Sequence, residues 1–102
     1  MIARIWQGWT SPENADAYEE FLRTTIFPSI HEVDGFRDAD LLRRDEGSEI
    51  AFITVTRFES LDAVKRFAGD DYERAVVEPE AQRLLSRFDE RSAHYELVID
   101  RA

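Results

Sequence analysis

The chain contains no cysteine. Disulfides, thiolate nucleophiles and Cys-ligated metals are excluded together, and the usage fits a reducing compartment, so a cytoplasmic protein is expected. Glycine and proline are sparse, with four and three copies in 102 residues. Each glycine fits a turn, cap or strand position, and no phosphate-cradling glycine loop, G-x-S-x-G or HExxH pattern is present. Positive charge is also short. Lys plus Arg is 13 against 22 Asp plus Glu, a net charge of −9 that repels phosphate backbones and anionic headgroups. Neither a nucleic acid nor a membrane is therefore expected as a partner. The longest apolar runs are a few residues, far below the ~20 that span a bilayer. The opening Met1-Ile2-Ala3-Arg4-Ile5-Trp6 lacks the long apolar stretch of a signal peptide.

What is present is core material. Apolar residues make up 43% and aromatics 12%, enough for one folded domain over 1–102. Ile2 to Trp9 reads as strand one, ended by Thr10-Ser11-Pro12, which can cap and start a helix. Tyr18, Phe21, Leu22, Thr25, Ile26, Ile30 and Val33 then recur at helical steps, with a kink expected near Phe27 because of Pro28. Phe36 to Arg44 reads as strand two and Glu49 to Phe58 as strand three, joined by Asp45-Glu46-Gly47-Ser48. Ser60 caps a helix carrying Leu61, Val64, Phe67 and Ala68 and closed by Gly69. Asp70 to Val77 has no clear pattern. Pro79 opens a further helix with Ala81, Leu84, Leu85 and Phe88 on one side, and Ser92 to Ile99 reads as the last strand. The order βαββαβ predicts an α+β, ferredoxin-like sandwich. Its antiparallel four-stranded sheet has strands one and three at the centre and helices on one face.

A half-solvated sheet should alternate apolar and polar residues. This one does not. In strand one Ile2 and Trp6 oppose Ala3, Ile5 and Trp9; in strand three Ile50, Phe52 and Phe58 oppose Ala51, Ile53 and Val55. In the last strand Tyr95, Leu97 and Ile99 oppose His94, Glu96 and Val98. Both faces are apolar, which points to a homodimer formed sheet face to sheet face.

Among chemical groups, His94 is the only histidine in a predicted strand and shares a face with Glu96, a sensible arrangement for a catalytic general base. Trp6, Phe67 and Tyr72 are placed in a cavity between sheet and helices, where the Tyr72 hydroxyl can meet a bound phenolate. Arg43 and Arg44 point to opposite faces of strand two, so one of them can reach an anionic ligand. His31, His94 and Glu96 are the right types for a two-His-one-carboxylate site, but no short ligand spacing supports a metal.

The run Phe58-Glu59-Ser60-Leu61-Asp62-Ala63-Val64-Lys65-Arg66-Phe67 and the step Asp34-Gly35-Phe36 resemble the antibiotic biosynthesis monooxygenase (ABM) family of the dimeric α/β-barrel superfamily. The order of elements extends that resemblance over nearly the whole chain. It implies a dimeric α/β barrel and, by the family's enzymes, a cofactor-independent monooxygenase acting on a small aromatic, polyketide-type molecule. The alternatives are a ligand-binding or sensing homodimer without turnover, and a structural module. The family's heme-degrading branch carries Asn, Trp and an axial His at positions that fall here near Trp6, Phe67 and Val76. None is kept, so the resemblance does not extend to heme, and no cofactor is expected.

Overall fold

A computed structural model describes all 102 residues. The central strands are β1 (Ile2–Thr10) and β3 (Ile50–Phe58), which pair antiparallel from Ile2↔Phe58 to Thr10↔Ile50. Strand β2 (Phe36–Asp45) flanks β3. The outer edge of β1 is shared by β4 (Leu85–Phe88) and β5 (Ala93–Glu96), so two short strands fill the fourth position of the expected sheet. The sheet is open, with helices on one face only. No helix is long and apolar enough to cross a membrane.

Pairing of even with even residues fixes the faces. Ile2, Arg4, Trp6 and Gly8 of β1 share the helix side with Phe52, Thr54, Thr56 and Phe58 of β3. Helix α1 (Ala15–Phe21) lays Tyr18 edge-on against Phe52, ring centroids 4.9 Å apart. Helix α3 (Leu61–Ala68) starts at Ser60, whose hydroxyl accepts from the Ala63 N–H at 3.2 Å, and packs Ala63 and Val64 with Phe58. The core therefore forms two clusters, one around Phe52 and one around Phe58. Between them β3 presents Thr54 and Thr56, too short to fill the space under the helices.

The opposite face carries Ala3, Ile5, Trp9, Ala51, Ile53, Val55, Leu42 and Tyr95, with Leu42 and Tyr95 51% and 57% exposed. Polar residues interrupt it: Arg57 pairs with Asp38 and Asp40, and Arg87 lies 3.7 Å above the Trp9 ring.

Three expectations need correction. The last helix, α4 (Pro79–Leu84), stops before Leu85. Leu85 and Phe88 are three apart and both pack on the core, which imitates a helical stripe. Thr10 pairs with Leu85 and Trp9 with Arg87, leaving Ser86 as a bulge that turns both large residues inward. The final strand ends at Glu96 rather than Ile99, because β1 begins at Ile2 and supplies no further partner; Leu97 makes one bond to the Met1 carbonyl. Val98 and Ile99 are left 80% and 72% exposed.

The Pro28 kink is also replaced. The stretch Leu22–Ile26 winds as a π-helix before α2 (Phe27–Ile30), and the Phe27 N–H donates to the carbonyl of Leu22, five residues back. Pro28 has no N–H to offer, so the ladder is loosened ahead of it without a break in direction.

Candidate functional site

The space left by Thr54 and Thr56 is a small cavity of about 90 Å³ that opens to solvent at its mouth. Trp6 and Phe67 line it from the sheet and α3, and Tyr18, Leu22, Phe27 and Ile30 from the first helical stretch. Ala81 of α4 and the irregular strap Val76-Val77-Glu78 close it from above. Trp6 is fixed by donating from Nε1 to the Asp89 carbonyl at 2.7 Å. Burial pushes the Tyr18 phenol upward, so it stays protonated as a potential donor.

The strap has its own support. Residues 90–92 leave the edge of β1 and pair instead with the segment after α3: Ser92 N–H donates to the Glu73 carbonyl, Ala75 N–H to that of Glu90, and Arg74 and Arg91 form a bridge. This excursion divides β4 from β5 and gives the patternless Asp70–Val77 stretch its place.

Arg4 is the residue that sequence reasoning missed. It lines the cavity, is 4% exposed, and appears in none of the chain's ion pairs. Its Nη1 donates to the Tyr72 carbonyl and, at 2.9 Å, to His94 Nε2; Nη2 donates to the Arg74 carbonyl at 3.1 Å. A guanidinium only donates, so Nε2 of His94 carries the lone pair here. Cζ of Arg4 lies 5.5 Å from the Phe67 ring centroid.

The expected site residues thus fall into three places. Trp6 and Phe67 line the cavity. His94 and Tyr72 sit behind Arg4, their rings edge to face with centroids 5.1 Å apart. Arg43 and Glu96 are outside it. Arg43 bridges Asp16 at 2.8 Å and Glu19 at 3.1 Å, so its charge is already answered, and Glu96 is exposed with no hydrogen bond to His94. His31 packs edge-on against Phe36, and no group of His, Asp and Glu is arranged to hold a metal.

Burial, and then the charge of Arg4, hold the His94 imidazole below its ordinary 6.5, against a smaller upward pull from Glu73. The unfolded chain then binds the proton more readily than the folded one. Stability is complete above pH 6.5 and falls as pH drops through that value toward the lower native pKa. Urea midpoints between pH 8 and 5 should show this loss, and His94→Gln should remove it; parallel curves for the two proteins would contradict it.

Residues 1–79 match the antibiotic biosynthesis monooxygenase family. No curated protein matches the chain in sequence. Among solved structures, Rv0793 from Mycobacterium tuberculosis is similar at 18% identity and TM-score 0.64, over 99% of this chain and 98% of that one. The heme-degrader MhuD of Mycobacterium tuberculosis, solved with two hemes in its active site, is similar at 21% identity and TM-score 0.63 over 100% of both chains. A monooxygenase from the gene ActVA-Orf6 of Streptomyces coelicolor, solved with nanaomycin D, gives 14% identity and TM-score 0.60 over 99% of this chain and 92% of that one. At these identities the likeness is one of fold.

Proposed function

Because the chain belongs to the antibiotic biosynthesis monooxygenase family, we propose that it is a cofactor-independent monooxygenase acting on a small flat aromatic molecule held between Trp6 and Phe67. The supporting observation is the cavity itself, apolar over most of its wall with hydroxyls at Tyr18, Ser29, Thr54, Thr56 and Ser92 as the polar exceptions beside Arg4 and Glu78. An anthrone-type substrate brings its own electrons. Loss of a ring proton gives an electron-rich anion that reduces dioxygen; one oxygen atom becomes the new carbonyl and the other leaves as water with the two hydrogens of the oxidised carbon. The protein's share is to exclude water, orient the ring and favour the anion. With Nε2 engaged by Arg4, His94 acts on this site through the guanidinium rather than by touching the ligand.

Heme does not fit this wall. No histidine lines it, and the isopropyl group of Val76 on its wall cannot ligate iron. A second copy of the chain belongs to the same proposal: the apolar face of Ile5, Ile53 and Val55 packs on its twin, two open sheets closing into one barrel.

Dithranol is the probe. Oxygen uptake above the spontaneous rate is expected, and Val76→Trp, which fills the cavity from its exposed strap, should lower it about tenfold or more with circular dichroism unchanged. Uptake no faster than in buffer would overturn the oxygenase reading. Thermal stabilisation by dithranol without uptake would then leave a binding protein.

A further inference from the structure

The fold withdraws one basic side chain from water without giving it an acid. Ion-paired arginines lie at the surface, and the other unpaired cations, Lys65, Arg66, Arg74 and Arg101, are exposed. Arg4 is buried in a chain that has 22 carboxylates to choose from. Burying an unanswered charge is costly, and buried charges are as a rule paired.

Its hydrogen bonds show what is left for that counter-ion. A guanidinium has five N–H bonds. Three are used, on the Tyr72 and Arg74 carbonyls and on His94 Nε2, and all three acceptors are neutral. They hold the group without cancelling its charge. Nε–H and one N–H of Nη2 have no partner in the chain, and Nε and Nη2 share one edge of the guanidinium, the edge that can meet a carboxylate in two-pronged fashion. Glu78 shares the cavity wall but makes no ion pair with Arg4.

From this geometry we infer that Arg4 is a specificity residue: the cavity takes aromatic carboxylates, the ring lying between Trp6 and Phe67 and the carboxylate docking on the free edge of Arg4. The inference rests on the cavity being a ligand site and adds the chemical class. A single negative charge balances the single cation, whereas a dianionic phosphate would leave surplus charge near Glu78. Burial lowers Arg4 only to about 10, so it remains charged at neutral pH.

Calorimetric titration with 2-naphthoate and its neutral analogue 2-naphthamide tests this. The protein should bind the carboxylate about tenfold or more tightly than the amide. Arg4→Met, which keeps the apolar stem, should bring the two within about twofold while amide binding persists. Arg4→Lys, useful where Arg4→Met folds poorly, keeps charge but not the fork and should retain only part of the preference. Equal binding of both probes by the unaltered protein, or an undiminished preference in either variant, would overturn the role of Arg4 and leave the cavity reading intact. Binding of neither probe would remove the cavity reading and this inference together.

Discussion

Gly35→Ala is expected to cost about 2–5 kcal/mol of folding stability, from strained backbone (~1–3) and overpacking (~1–3) together. Gly35 has φ +91°, which side chains with a Cβ rarely adopt. A Cβ there would lie 2.5 Å from the Cβ of Ala63, which is fully buried in α3. The clash cannot be relieved by swinging a flexible side chain, because both atoms are fixed to backbone. The Gly35 carbonyl also accepts from the Glu59 N–H at 2.8 Å, tying the turn before β2 to the end of β3. For a domain of this size the loss should appear as a melting temperature lower by roughly 10 °C or more. Adding Ala63→Gly separates the causes: it should recover the clash but not the backbone strain. A Gly35→Ala protein that melts with the unaltered one would refute both.

Val55→Lys is expected to weaken self-association about a hundredfold or more while leaving the protomer folded. Val55 pairs with Ile5 at the middle of the open face and is only half-buried in the protomer, so a lysine there can reach water in the single chain. Between two packed sheets it cannot, and twofold symmetry places two such charges in the contact. An unpaired buried charge costs several kcal/mol, and ~2.7 kcal/mol already corresponds to a hundredfold. Sedimentation equilibrium should give about twice the 11.9 kDa chain mass for the unaltered protein and the chain mass for the variant. A single-chain mass for both would end the dimer proposal.

The architecture was readable where one physical signal acted alone. Strand β3 is nearly continuous in β-branched and aromatic residues, and the cap at Ser60 and the stop at Gly69 bound α3 as expected. The reading failed where two signals produce the same spacing. A bulged strand puts Leu85 and Phe88 on one side three residues apart, as a helix does. It failed again where length is set by a neighbour, since nothing in Leu97-Val98-Ile99 tells that β1 has run out. At the site, Trp6 and Phe67 were legible because aromatic side chains on inward positions have few places to go. Arg43 was drawn in by its charge, but Asp16 and Glu19 on α1 claim it. Arg4 left a trace that went unread: it lies between Ile2 and Trp6 on the same parity of a central strand, where a charge has no bland explanation.

The π-wound stretch Leu22–Ile26 has a consequence for how this protein can change over time. Such a stretch holds one residue more than regular winding needs, and its flanks stay in register whether that residue is kept or lost. Tyr18 lies before it and Ile30 after it, with Leu22 and Ile26 at its ends, all on the wall of the chamber. Dropping one residue would return the stretch to regular winding and so reshape that wall. Descendants of this chain can therefore alter the bore of the chamber by a change of length alone.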